Sequence, residues 1–177
     1  MPSKIPSNQR FMQMCWVVPD IHAAMAAWTR STGVGPFFFF DTIEFGEPRY
    51  RGKPTGSIDI TAAMAQAGDM QIELVCQNDE QPSFWRDVVP AGQSGLHHMA
   101  LYCQNYDADL AAYTDAGIEV AFSGLMMGNR VCWVDTRAQL GFMIELIEAN
   151  EVAASVFAQF RAAAQNWDGR DPVRTMG

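Results

Sequence analysis

Two stretches of this chain repeat each other in residue type and spacing. Gln13, in the apolar run FMQMCWVV (Phe11 to Val18), stands seven residues before Asp20, and His98, in GLHHMALYC, stands seven residues before Asn105. Asp and Asn are residues that cap helices by accepting the first free backbone N–H groups. Toward the close of each half the same tripeptide recurs, Ile72-Glu73-Leu74 in QIELV and Ile144-Glu145-Leu146 in MIELI. Such a repeat constrains the fold more than composition does, because whatever one copy forms the other must form too.

Each copy reads as βαβββ. In the first, Phe11 to Val18 is a strand stopped by Pro19-Asp20, and Ile21, Met25, Trp28 and Thr29 form a helical stripe ended by Gly33. Phe37 to Gly46 (FFFFDTIEFG) reads as a strand, Glu47 to Gly56 as a polar Pro/Gly loop, and Ser57 to Gln66 with Asp69 to Cys76 as a hairpin. In the second, the His98 strand precedes a helix over Asp107 to Ala116, and Ile118 to Ser123, Asn129 to Asp135 and Gly141 to Glu148 supply three strands. The expected organisation is a single α+β domain over residues 10–149. It comprises module one (about 10–78), a linker (79–94) with a short helix around Pro82 to Val88, and module two (about 95–149). Residues 150–177 form a C-terminal helix, with Val152, Val156, Phe157 and Phe160 on one face, and a loose tail.

Composition narrows the partners. The net charge is -8, with no basic patch, which argues against nucleic acid or an anionic membrane surface as partner. The first ten residues lack the apolar segment of a signal peptide and no run is long enough to span a bilayer, so a soluble cytoplasmic protein is expected. Cys15, Cys76, Cys103 and Cys132 have no Cys-x-x-Cys spacing and read as reduced packing thiols.

A carboxylate between two large aliphatics is costly to bury alone, and here it occurs twice in equivalent places. If a pseudo-twofold axis relates the halves, Gln13, Glu73, His98 and Glu145 converge on one point. One imidazole, two carboxylates and an amide oxygen suit a divalent ion of borderline hardness, Zn, Ni, Co, Fe or Mn, and the two carboxylates balance its charge. Taken singly, each has a plainer reading: Gln13 as an edge-strand polar residue, the glutamates as strand ends in solvent, His98 as a core histidine bonded to a carbonyl. His97, adjacent on a strand, is expected on the opposite face as a surface or packing residue that is replaceable.

With VVPD before an amphipathic helix, GLHHMAL and the terminal IELIE, the chain from Phe11 to Glu148 resembles the vicinal oxygen chelate superfamily, which includes glyoxalase I and methylmalonyl-CoA epimerase. The resemblance implies paired βαβββ modules in a glyoxalase-like curved mixed sheet around a central cavity. It also implies a homodimer, and metal ligands on the first and last strand of each half: Gln13, Glu73, His98 and Glu145. The set is similar to that of zinc-type glyoxalase I; a histidine in place of Gln13 marks the extradiol dioxygenases, and His then Gln the epimerases. Epimerases also carry a further carboxylate before the third strand, where Arg51 to Ser57 has none.

The activity implied is that of a glyoxalase I-like lyase or epimerase-like isomerase. Such an enzyme abstracts a proton next to a carbonyl and stabilises an enediolate on the metal, with Glu145 the expected base and Glu73 the second choice. The substrate is then a small carbonyl compound, apolar or a thioester. Phe37 to Phe40, Trp16, Phe84, Trp85, Met126 and Met127 are candidates to line its pocket, and Arg49, Arg51 and Lys53 to meet a carboxylate or CoA phosphate. The alternative on the same fold is a metal-free binding protein of the bleomycin-resistance type.

Overall fold

Asp20 and Asn105 cap helices where their spacing places them: the Asp20 side chain accepts from Ala23 N at 2.9 Å, and Asn105 from Ala108 N at 3.3 Å. The computed structural model describes residue 5 and residues 9–175. The first half contains β1 (Phe11–Val17), α1 (Ile21–Thr32), β2 (Phe37–Phe40), β3 (Gly46–Tyr50), β4 (Lys53–Pro54), β5 (Ile60–Ala67) and β6 (Met70–Gln77). After α2 (Phe84–Val88) come β7 (Gly95–Cys103), α3 (Tyr106–Asp115), β8 (Val120–Met126), β9 (Asn129–Val134), α4 (Arg137–Leu140) and β10 (Met143–Glu148). The chain ends in α5 (Glu151–Ala164) and β11 (Val173–Thr175). Among the described residues no helix is long and apolar enough to cross a membrane.

The strands form one curved mixed sheet in the order β11-β2-β5-β6-β1-β7-β10-β9-β8-β3-β4. Its centre is the antiparallel pair β1 and β7, and each is flanked by a parallel strand carrying its half's glutamate, β6 or β10. The register makes the repeat residue-exact. Gln13 faces Gln71 and Cys15 faces Glu73 in one half; His98 faces Met143 and Ala100 faces Glu145 in the other. Gln13 therefore superposes on His98, Cys15 on Ala100 and Glu73 on Glu145.

Strand alternation explains the repeated tripeptide. Ile72 and Leu74 pack beneath α1 with Ile21, Met25 and Phe37, while Ile144 and Leu146 pack beneath α3 with Tyr106 and Tyr113. The glutamate between each pair of aliphatics points the other way, into the inner face, where Cys15, Ala100, Met143, Trp85 and Trp133 gather. The C-terminal helix covers that face and not a solvent edge: Phe157 and Phe160 join the inner cluster, and Tyr102 Oη donates to Asn150 O at 2.8 Å.

Three expectations need correction. The polar stretch after Glu47 is not a plain loop: β3 and β4 form a small hairpin that crosses to the other half and pairs with β8. The Phe37 strand correspondingly ends at Phe40. The short helix expected around Pro82 to Val88 is present as α2, capped by Ser83, and it buries Phe84 and Trp85 in the inner core. The tail is ordered to Thr175, because β11 adds to the free edge of β2. Polar hairpins and short edge strands carry little hydrophobic pattern, so periodicity does not reveal them.

The β3–β4 hairpin is held by charge. Arg51 reaches Asp87 and Glu119 at 2.6 Å and Asp135 at 3.2 Å, and Arg137 binds Asp135 at 2.7 Å. Hydrogen bonds from Arg137 hold the Asp135 carboxyl down to about 2 against the upward push of burial, and Arg51 adds to the effect. An unfolded aspartate titrates near about 3.9. The pair thus contributes stability above that pH and loses it as the pH falls toward 2. Asp135→Asn is expected to lower the unfolding free energy by about 1–2 kcal/mol near neutral pH and by clearly less at about pH 2. Urea denaturation at both pH values checks this, and an equal deficit at both contradicts it.

Candidate metal centre

At the seam between the halves His98 is fully buried, with its Nε2 3.3 Å from Glu73 Oε2 and 3.0 Å from Glu145 Oε2. The two carboxylates come from β6 and β10, on opposite sides of the β1–β7 pair, and both are themselves buried. Three of the four expected ligands are thereby brought together. Gln13 lies on the same buried face, but its amide nitrogen donates to Gln71 Oε1, leaving its own Oε1 buried without a partner.

Cys15 lies beside the cluster, a position that the sequence reading did not give it. Its thiol, together with donor atoms of Glu73 and His98, forms a group within 4.8 Å of one another. Cys15 is a free thiol buried in the inner core, as a packing thiol is expected to be, and it sits on β1 two residues beyond Gln13, so alternation puts it on the same face. Burial, then the nearby charge of Glu73, raises its pKa well above the usual thiol value. Cys103 and Cys132 are buried beneath α3 as expected, and Cys76 is only partly covered.

His97 is also not where alternation places it. Cys15 pairs with His98 but Trp16 pairs with Leu96, so β7 carries one extra residue, a β-bulge at His97. The bulge brings both rings into contact, Nδ1 to Nδ1 at 2.9 Å, with His97 Nε2 3.0 Å from Phe84 O. His97 is fully buried against Phe84 and Trp85, so of the two readings it is the packing residue and not the surface one.

Proton counting fixes what this pair can do. A carbonyl only accepts, so His97 donates from Nε2, and burial with the neighbouring His98 charge keeps its pKa well below 6.5. The neutral ring has its lone pair on Nδ1, and His98 therefore donates from Nδ1. Trp133 Nε1 stands 3.1 Å from the same Nδ1, but a ring nitrogen that donates has no lone pair for it. His98 is left with Nε2 aimed between the carboxylates. Burial pushes its pKa down, but Glu145 and then Glu73 outweigh that and raise it to about 9. With no ion, the ring is an imidazolium between two glutamates.

The donors fit a divalent cation. His98 Nε2 is completely buried with the two carboxylates beside it, and loss of its proton exposes a lone pair to the space between them. A neutral imidazole and two carboxylates balance a charge of two.

Glu73 and Glu145 face a small apolar space lined by Ile43, Met64, Trp85, Met126 and Trp133, with a volume of about 10 Å³, room for about one water. An outer space of about 40 Å³ follows, between Phe40, Met126, Met127 and Phe157. Of the other candidate lining residues, Trp16 packs on Trp28, Phe37 lies beneath α1 and Phe38 stacks on Phe160. Arg51 is occupied by its ion pairs, and Arg49 and Lys53 are exposed.

Residues 12–133 match the Glyoxalase/Bleomycin resistance protein/Dioxygenase superfamily, and the chain belongs to it. The matched segment holds Gln13, Glu73 and His98 and ends before β10, the strand of Glu145. No curated protein matches the sequence. Solved structures share the fold. Methylmalonyl-CoA epimerase from Mycobacterium tuberculosis is 16% identical with a TM-score of 0.55, over 87% of this chain and 96% of that one. A hypothetical protein from Bacillus halodurans C-125 is 15% identical with a TM-score of 0.56, over 82% and 97%. A methylmalonyl-CoA epimerase in complex with methylmalonyl-CoA and NH4+ is 18% identical with a TM-score of 0.54, over 81% and 96%.

The proton assignment is testable by long-range nitrogen–proton NMR of the histidine rings in chelator-treated protein near neutral pH. His97 is expected as the neutral Nε2–H tautomer and His98 as imidazolium; a His97 proton on Nδ1 contradicts the assignment.

Proposed function

We propose that the protein is a metal-dependent lyase or isomerase of the glyoxalase type, moving a proton at the carbon next to a carbonyl. The observation that carries this reading is the buried His98 Nε2 held between Glu73 and Glu145 at the inner end of an apolar space. His98, Glu73 and Glu145 would hold a divalent ion (Zn, Ni, Co, Fe or Mn), with a further donor from the first strand, Gln13 by resemblance. When bound, such an ion supplies a Lewis acid beside the substrate's carbonyl oxygen.

Glu145 is the proposed base. It is 2% exposed, and desolvation raises its pKa above the ordinary glutamate value even though His98 pulls it down. A carboxylate poised in this way takes a carbon-bound proton more readily than a solvated one and returns it to the same or the adjacent carbon. Glu73, equivalent by the pseudo-twofold, sits on the other side of His98 and is the second candidate. Trp85, Trp133 and Met126 keep bulk water from the transferred proton.

The surroundings favour an apolar carbonyl compound over a CoA thioester. The lining is aromatic and aliphatic, and Arg51, the partly buried cation of the nearby hairpin, is already committed to Asp87, Glu119 and Asp135. In the same reading residues 10–149 form one domain, and the protein is a cytoplasmic homodimer. Its four free thiols suit a reducing compartment.

The test is metal analysis together with hydrogen exchange. Protein purified without chelator is expected to carry about one equivalent of a transition metal per chain, or to take it up on addition of Zn, Ni, Co or Mn. Incubated in D2O with a panel of aryl and alkyl 2-oxoaldehyde hemithioacetals, it is expected to incorporate deuterium next to the carbonyl. Glu145→Gln should keep the fold and lower that exchange at least about 100-fold. Less than a tenth of an equivalent under every condition contradicts the metal-dependent reading and favours a metal-free binder; unchanged exchange removes Glu145 as base.

A further inference from the structure

The pseudo-twofold shows where the two halves differ in chemistry. Ala100 lies between Gln13 on one neighbouring strand and Glu145 on the other. Its mate Cys15 lies between His98 and Glu73. Where the second half places a methyl group at the middle of its strand trio, the first places a thiol, between the two side chains that already face each other across the seam. Gln13 is held by Gln71 through its amide nitrogen, with its Oε1 buried and free of a partner.

We propose that Cys15, and not Gln13, is the metal ligand supplied by the first strand, so that the ion is bound by Cys15 Sγ, His98 Nε2 and Glu73, with Glu145 beside it. This rests on the reading that the centre holds a divalent ion and specifies which residue of β1 completes it. Four observations support it. The three donor atoms lie within 4.8 Å of one another, compatible with ligands around one ion at bond lengths of about 2.0–2.3 Å. Cys15 is fully buried, so its sulfur has no role toward solvent. His98 Nε2, wholly buried, is aimed into the same space, with Glu73 Oε2 at 3.3 Å and Glu145 Oε2 at 3.0 Å. The other three cysteines lie elsewhere: Cys103 and Cys132 beneath α3, and Cys76 with its thiol toward Pro19 O.

Coordination exchanges two protons for the ion: the Cys15 S–H and the His98 Nε2–H bonds break, bonds from Sγ and Nε2 to the metal form, and both protons leave to water, so that with Glu73 and Glu145 ionised the centre carries a net charge of -1. The consequence is selectivity. A thiolate with imidazole and carboxylate favours zinc or cobalt, whereas an all-oxygen first strand leaves a site that also suits manganese. The proposal thereby narrows the range of metals that Gln13, Glu73, His98 and Glu145 alone would allow.

Cobalt(II) is the probe, titrated into the whole chelator-treated protein and followed by absorption. The wild type is expected to develop an intense near-ultraviolet sulfur-to-cobalt charge-transfer band, saturating at one equivalent, above the weaker visible d–d bands. Cys15→Ser should lose the intense band, keep d–d bands and weaken its preference for zinc over manganese at least about tenfold. Gln13→Leu should keep the intense band. If Cys15→Ser does not fold by circular dichroism, Cys15→Ala and the wild-type spectrum decide. Cobalt bound with d–d bands alone in the wild type overturns the Cys15 assignment and leaves the ion site standing. An intense band that survives in Cys15→Ser overturns it as well, since another thiol then binds. No cobalt binding at all overturns both.

Discussion

The structure depends on a charged cluster that an apolar core does not tolerate without compensation. His98 is enclosed completely, and the two carboxylates beside its Nε2 are nearly so. Burying an ionised carboxylate alone costs several kcal/mol, and removing one partner of a buried pair typically costs about 3–5 kcal/mol. The cluster therefore ties the modules together electrostatically as well as through β1–β7 hydrogen bonds: Glu73 belongs to the first half, His98 and Glu145 to the second. Packing hydrophobic residues there would hold the seam as well or better. Three ionisable groups and a thiol stand on the buried seam where apolar packing would serve, and this makes the cluster a candidate site.

Much of this was legible in the chain because the repeat converts sequence spacing into spatial register. Gln13 and Asp20 against His98 and Asn105, and the doubled Ile-Glu-Leu, located both first strands, both caps and both glutamates. Alternation then explains why the glutamates point inward, since the flanking aliphatics are taken by α1 and α3. What escaped the reading is what alternation cannot express. A bulge shifts His97 onto the side of His98, and nothing in GLHHMAL announces it. Cys15 shares the face of Gln13, but a thiol in an apolar run looks the same whether it packs or ligates. The β3–β4 hairpin is too polar and β11 too short for hydrophobic pattern to mark.

The same bulge links fold to chemistry. The chain of donors from His98 Nδ1 to His97 Nδ1, and from His97 Nε2 to the carbonyl of Phe84, leaves Nε2 of His98 as the one nitrogen that can change partners. Its environment then decides what it meets: carboxylates on two sides, sulfur nearby, and an apolar opening where a substrate carbonyl would lie. In the conformation described, that opening admits little more than a water, so access for an organic substrate requires movement of the Met126-Met127 turn or of α5, which line the outer space. Superfamily membership agrees with this arrangement but does not choose among its chemistries.

The central claim, that the seam is a metal centre, is met most directly by anomalous diffraction from crystals of the zinc-loaded protein recorded on both sides of the zinc edge. The account predicts one strong peak per chain, bonded to His98 Nε2 at about 2.0–2.1 Å and flanked by Glu73 and Glu145. A protein that binds zinc in solution yet shows its peak on surface carboxylates, with His98 still joined to the glutamates alone, would contradict it.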